Sequence, residues 1–199
     1  ALRYAISVNE ANAKMFRIVA CPTAGACGIL PGVMQAVGEV YHCDDTAYIN
    51  GFLAAAGVGN VVTNQACVAG AVGGCQAEVG TAAAMAAACA VAMMGGTTEE
   101  VVTAMTLCMK NVLGLVCDPV AGLVEVPCVK RNGIYAVHAL ASAEMAMAGL
   151  RSRIPADEVI GAMDSIGRAL PEALRETSEG GLARTKTGMD ITNRLAHQK

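Results

Sequence analysis

Apolar positions recur every three or four residues through residues 5–20 and again through Ile29–Val40, the spacing of one face of a helix. Pro31 falls in the first turn of the second stretch, where a missing N–H costs least. Asp44 and Asp45 suit the N-cap of a third helix. Gly57, Gly59, Gly70, Gly73 and Gly74 then break the next section into turns, ahead of an Ala-rich helix over residues 76–94. "GGTTEE" stops that helix and starts another, because Thr97 and Glu100 have capping-box spacing, and this next helix is expected to reach about Leu115. Beyond "CDPVAGLVEVPC" (117–128), "GIYAVHALASAEMAMAGLRS" reads as a helix. "IPADEVIGAMDSIGRALPEALRE" reads as one or two more, with Pro155 and Pro171 near their N-termini. "SEGGLARTKTG" and the final residues read as loop and tail. No alternating β-branched run is long enough for a sheet. The fold class is therefore all-α, a compact bundle of Ala/Gly-rich helices around a buried central helix.

Composition sharpens this picture. The 199 residues are read as a single domain, 1–199. They are 54% hydrophobic and 16% charged but only 3% aromatic, without Trp, so the core is built from Ala, Val, Leu and Met. Small side chains let helices approach closely. Met85, Met93, Met94, Met145 and Met147, at helical spacing, are read as core. A net charge of −3 provides no basic face for nucleic acid. The stretch Val79–Met94 is apolar but only about 16 residues long, short of the roughly 20 a spanning helix needs, so no membrane partner is expected. The opening "ALRYAISVNEANAKMF" lacks a secretory pattern. Of nine cysteines, an odd count, four (Cys27, Cys67, Cys89, Cys108) lie in Ala/Val/Met-rich runs, as expected of free thiols in the cytoplasm.

Three cysteines stand apart. Cys117 and Cys128 bound a segment that Pro119 and Pro127 stiffen, and Cys75 sits at the Gly-rich mouth of a helix, where the N-terminal dipole favours a thiolate. No C-x-x-C spacing is present, so from the residues alone metal ligation and incidental burial both remain open. "PTAGACG" (22–28) precedes a helix and, through Thr23 and Gly25, is a candidate cradle for a substrate carboxylate or else a plain helix-start turn. Lys130 and Arg131 can pair with a carboxylate or form an ordinary exposed pair. His138 is read as a satisfied core histidine before a base, and His42 and His197 as surface residues. Glu78 can orient a ligand or cap its helix, capping being favoured, and Asp118 can hold the 117–128 loop through nearby N–H groups.

"PTAGACGILPG", "GCQAEVGTA", "CDPVAGLVEVPCVKRN" and "RETSEGGLARTKTG" together resemble the catalytic α domain of the bacterial iron–sulfur L-serine dehydratases, and the resemblance covers almost the whole chain. It implies an all-helical lyase domain in which Cys75, Cys117 and Cys128 hold a [4Fe–4S] cluster, independent of pyridoxal phosphate. It implies L-serine as substrate, a β subunit or β domain as partner, and an oligomer. In this comparison an N-terminal piece and the β domain are expected to be missing, and Arg131 and Lys130 can balance the cluster's negative charge. Lys186 in "ARTKTG" matches a family motif without a readable role. The α-proton base stays open, with His138 as the candidate inside this chain. Two rivals remain: a cluster-dependent L-cysteine desulfidase using the same elimination, and a non-enzymatic helical module with zinc on the same cysteines.

Overall fold

The computed structural model describes residues 1–197. Among them are nine α-helices: α1 (Leu2–Ala13), α2 (Ile29–Tyr41), α3 (Asp45–Gln65), α4 (Gly70–Gly73), α5 (Cys75–Met93), α6 (Thr98–Lys110), α7 (Cys128–Met147), α8 (Ala156–Ala169) and α9 (Lys186–Ala196). Three short 3-10 turns, Val120–Gly122, Glu172–Leu174 and Gly181–Arg184, punctuate the loops. The described residues contain no strand, only an isolated parallel bridge between Cys117 and Arg175. The fold is all-α, as the periodicity predicts.

Helix α5 is the axis of the molecule. Every residue from Cys75 to Met93 except Ala92 is buried, and α2, α3, α6 and α7 pack around it. Its run of alanines presents little side-chain bulk on any face, so four neighbours approach at once. It is long and apolar enough to cross a bilayer, but its surface is already covered by the other helices. Gln76, fully buried near its start, donates to the Met163 carbonyl of α8 at 2.8 Å and accepts from the Gly114 amide at 2.8 Å. One side chain thus ties α8 and the turn after α6 to the end of α5 that carries Cys75.

Several helix boundaries differ from the pattern, each for a local reason. The first helix stops at Ala13 rather than reaching residue 20. Met15 adopts φ 60°, and Met15, Phe16 and Val19 are exposed, so the apolar rhythm continues without a surface to pack on. Helix α3 runs unbroken through Gly57 and Gly59, because Gly59 lies against Met85 of α5 and tertiary packing outweighs the glycine penalty. The Asp44 side chain caps α3 through the Ala47 amide at 2.8 Å, and the Thr97–Glu100 capping box is present at the start of α6. That helix ends at Lys110, short of Leu115, before a turn in which Gly114 takes φ 87°. Helix α7 begins at Cys128, ahead of Gly133, whose bare Cα faces Ile6 and Leu2 of α1. The stretch read as loop and tail contains α9, started by the Thr185 hydroxyl accepting from the Gly188 amide at 3.1 Å. Met85 and Met93 are core, whereas Met147 is exposed.

Two glycines in helices separate packing from propensity. A Cβ on Gly32 of α2 would meet the Ala5 backbone N at 2.7 Å and Cα at 2.9 Å, while one on Gly57 of α3 would meet nothing. Gly57→Ala is expected to raise unfolding free energy by about 0.4–1 kcal/mol in urea denaturation. Gly32→Ala is expected to lower it by about 1–3 kcal/mol in the same assay.

Candidate metal and substrate site

The fold brings the three singled-out cysteines to one place. Cys75 is the first residue of α5 and Cys128 the first of α7, so two helix N-termini direct their positive ends at sulfur. Gly74, at φ 73°, makes the turn that lets the chain leave α4 and enter α5 at Cys75. Cys117 comes from the loop between α6 and α7. All three are buried and none is in a disulfide. The neighbouring Cys117 and Cys128 thiols, with the Arg131 guanidinium alongside, hold Cys75 well below the ordinary thiol range. The same contact with an anionic Cys75 pushes Cys117 and Cys128 upward, and burial adds to it. Elsewhere, burial raises Cys89 and Cys108 to about 12 and Cys21 to about 11. Thiolate character is thus concentrated where the loops meet.

Arg131, one turn into α7, anchors this arrangement. Its Nη1 donates to Cys75 Sγ at 3.4 Å and to the Val116 carbonyl at 3.0 Å, and its Nη2 donates to Asp118 Oδ1 at 2.9 Å. Asp118 Oδ2 in turn accepts from the Leu182 amide at 2.8 Å. The 117–122 loop is clasped further by the later segment. The Cys117 amide donates to the Leu174 carbonyl at 2.9 Å, and the Glu176 amide donates to the Cys117 carbonyl at 2.8 Å. Ser178 Oγ donates to the Pro119 carbonyl at 2.6 Å and accepts from the Gly122 amide at 3.1 Å. Lys130, by contrast, is exposed.

Glu78 has a place that its sequence spacing does not reveal. It makes no capping bond; its Oε1 accepts the Thr23 hydroxyl at 2.6 Å, and its carboxylate, Cys75 Sγ and Cys117 Sγ lie within 4.8 Å of one another. Burial, with the charges of Cys75 and Glu176 adding to it, raises Glu78 to about 7 against the opposing Thr23 hydrogen bond. Gly25 and Gly70 close around it without side chains. A Cβ on Gly25 would collide with Glu78 Oε1, and one on Gly70 would come 2.8 Å from Glu78 Oε2 and 3.3 Å from Cys117 Sγ.

Loop 22–28 is held at this spot by asparagines. Asn132, fully buried, donates to the Gly25 carbonyl at 2.8 Å and the Cys128 carbonyl at 2.9 Å, and accepts from the Gly28 amide at 2.9 Å. Asn9 donates to the same Gly25 carbonyl at 2.9 Å, and Asn12 to the Ala24 carbonyl at 3.0 Å. Thr23 and Gly25 are therefore brought to the cysteines, and Arg131 with them. His138 is not. It lies roughly three turns further along α7, where its Nε2 bonds the Cys108 carbonyl of α6 at 2.9 Å and its ring meets Tyr135 edge-on.

The donor set can hold a metal: the Cys75 and Cys117 sulfurs and the Glu78 carboxylate lie within 4.8 Å of one another, Cys128 adjoins Cys75, and a guanidinium offsets their charge. Thiolates suit iron–sulfur clusters and zinc alike. Asp118→Ala would leave the Arg131 charge and the Leu182 amide without their partner. A loss of about 3–5 kcal/mol is expected in chemical denaturation, whereas breaking the exposed Asp164–Arg168 pair of α8 should hardly change the midpoint.

Comparisons with known proteins identify the family. The sequence profile of the family described as "Serine dehydratase alpha chain" matches residues 1–183. A Latilactobacillus sakei protein named "Probable L-serine dehydratase, alpha chain" is 55% identical, the match covering 100% of this chain and 95% of that protein. The "L-serine dehydratase, alpha chain" of Peptoniphilus asaccharolyticus is 52% identical over 96% of this chain and 65% of its own length. "L-serine dehydratase 1" of Escherichia coli is 42% identical over 90% of this chain but only 40% of its own length. With a profile match across most of its length and identities above 50%, this chain belongs to the serine dehydratase alpha chain family.

Proposed function

We propose that the chain is the α component of an iron–sulfur L-serine dehydratase, in which Cys75, Cys117 and Cys128 hold a [4Fe–4S] cluster and L-serine is converted to pyruvate and ammonia. The observation that carries the reading is the convergence of these three buried thiols, drawn from two helix N-termini and one clasped loop, on a shared anionic centre paired with Arg131. The residues fit such a group: the sulfurs are free, one cation faces them, and Gly70 leaves the adjoining space without a Cβ. When bound, a cubane held by three thiolates has one iron with an open position, a Lewis acid for a departing hydroxyl group.

The chain's own residues bind and orient. Arg131 offsets the negative charge of the thiolates, and the exposed Lys130 adds positive charge near the start of α7 that favours approach of a carboxylate-bearing substrate. Loop 22–28, with Thr23 and Gly25, lies beside the thiols in a position that Asn132 ties to Cys128. Removal of the α-proton and departure of the β-hydroxyl as water give aminoacrylate. Its imine tautomer adds water and releases ammonia, leaving pyruvate, so the overall change is redox-neutral. His138 lies roughly three turns along α7 from Cys128, with its Nε2 donating to the Cys108 carbonyl of α6, which favours a base from the β partner. Several relatives extend well beyond the matched region, in keeping with a larger active unit. Nine free thiols suit a reducing cytoplasm.

Serine substitution at each ligand tests the assignment. Anaerobically reconstituted Cys75→Ser, Cys117→Ser and Cys128→Ser are expected to lose iron, sulfide and visible absorption, whereas Cys89→Ser and Cys108→Ser keep them if they fold. Zinc in place of iron and sulfide would refute the cluster. With the β partner co-expressed, L-serine should yield pyruvate anaerobically, and L-cysteine turnover in preference to L-serine would favour a desulfidase.

Air exposure provides an independent check. Activity of the assembled enzyme is expected to decay in air, because the iron with an open position is reached first, and to return with ferrous iron and thiol. Full activity after prolonged air exposure with a chelator would contradict the cluster.

A further inference from the structure

Resting on the serine dehydratase reading, we infer that Arg175 is the residue that receives the substrate's carboxylate, in the cavity that opens beside the Cys117 loop.

Among the described residues two arginines are withdrawn from solvent, Arg131 and Arg175. Arg131 is engaged by Cys75, the Val116 carbonyl and Asp118. Arg175 has no such set of partners. Its Nε is sealed from solvent and meets no acceptor, and the ion pairs of the described residues, Arg131–Asp118, Arg151–Glu99 and Arg168–Asp164, leave it out. A guanidinium keeps its charge at any physiological pH and offers five N–H donors. Taking it partly out of water without a counter-ion carries a cost that an incoming anion removes.

Backbone pairing fixes where this cation stands. The Cys117 amide donates to the Leu174 carbonyl and the Glu176 amide to the Cys117 carbonyl, so Arg175 is bridged directly to a cysteine of the site. Arg175 lines a cavity of about 590 Å³ whose walls also include Ala71, Pro119 and Gly122 of the Cys117 loop, Glu172 and Glu176. The cavity adjoins the thiols: a Cβ on Gly70 would lie 3.3 Å from Cys117 Sγ and 3.3 Å from Glu176 Oε2. A small molecule seated on Arg175 is therefore a neighbour of the cysteines. The segment "RETSEGG", which clasps the Cys117 loop through Ser178, brings a ligand-binding cation with it.

Charge selects the class of ligand. A carboxylate matches the planar fork of a guanidinium with two parallel hydrogen bonds. Glu172 and Glu176, exposed on the same walls, make no ion pair with Arg175, so an anion without a positive group of its own would meet both of them. A free α-amino acid answers both signs, its carboxylate on Arg175 and its ammonium toward the glutamates. L-Serine is such a zwitterion, and its amide is not.

The test uses the α chain assembled with its β partner and reconstituted anaerobically, with L-serine and L-serinamide, in which a neutral amide replaces the carboxylate. For the unsubstituted enzyme, L-serinamide should inhibit with a constant well above the KM for L-serine. In Arg175→Gln, iron content and visible absorption should be retained and L-serinamide binding should stay nearly unchanged. The KM for L-serine should rise roughly 10- to 100-fold, the worth of a charge-assisted pair. Arg175→Lys keeps the charge but loses the fork, so it should give a smaller rise, and it stands in if the Gln variant fails to fold. An unchanged KM in Arg175→Gln, or in Arg175→Lys where it stands in, would overturn the inference. Equal weakening of both ligands, or loss of iron, would overturn it as well, by assigning Arg175 to holding the Cys117 loop. Thermal stabilisation by each ligand gives the same comparison without turnover. If the unsubstituted enzyme makes no pyruvate, the dehydratase reading fails, while stabilisation by L-serine that vanishes in Arg175→Gln still supports the carboxylate contact.

Discussion

A half-buried guanidinium holds this site together. Cys75, Glu78 and Asp118 are all buried near one another, and Glu176 adds its charge from the later segment. Crowding acids out of water is costly unless each finds a donor or a cation. Arg131 reaches a sulfur, a carbonyl and a carboxylate at once, which its planar fork can do and an ammonium cannot. Because Arg131 sits one turn after Cys128, the start of α7 fixes a thiol and the compensating charge together. The helix bundle serves this end: α5 and α7 must pack closely for their N-termini to meet, and small residues along α5 allow it.

Much of this was legible in the sequence. The helices around the core follow from apolar spacing and recognisable caps, as at Asp44 and Thr97. Cys75, Cys117 and Cys128 stand out because glycine and proline surround them, whereas Cys89 and Cys108 lie in uninterrupted apolar runs. Asp118 holds its loop, but through Arg131 and the Leu182 amide 64 positions later and not through nearby N–H groups.

What sequence spacing hides is partnership across long separations. Glu78 has the look of a cap, three residues into a helix, but its partner Thr23 is 55 positions away. Asn9 and Asn132 carry no pattern, since a buried amide among apolar neighbours reveals its role only when the carbonyl it serves is in place. Gly57 and Gly59 resemble breakers for the opposite reason: locally they weaken a helix, and the neighbour that makes Gly59 useful, Met85, lies on α5. Helix α9 offered only Thr185 as a signal, and a single threonine is a weak one.

The clasp on the Cys117 loop has a consequence for biogenesis. The groups that secure Pro119 and Asp118 come from residues 59 and 64 positions later in the chain, at Ser178 and Leu182. On a translating ribosome, Cys75, Cys117 and Cys128 all emerge before those groups exist. The nascent chain therefore exposes three thiols with an unsecured loop, and the site becomes rigid only after a further stretch has been synthesised. Any metal taken up by these thiols would meet a pliable acceptor early and a closed one late, so the order of synthesis bears on when loading is easiest.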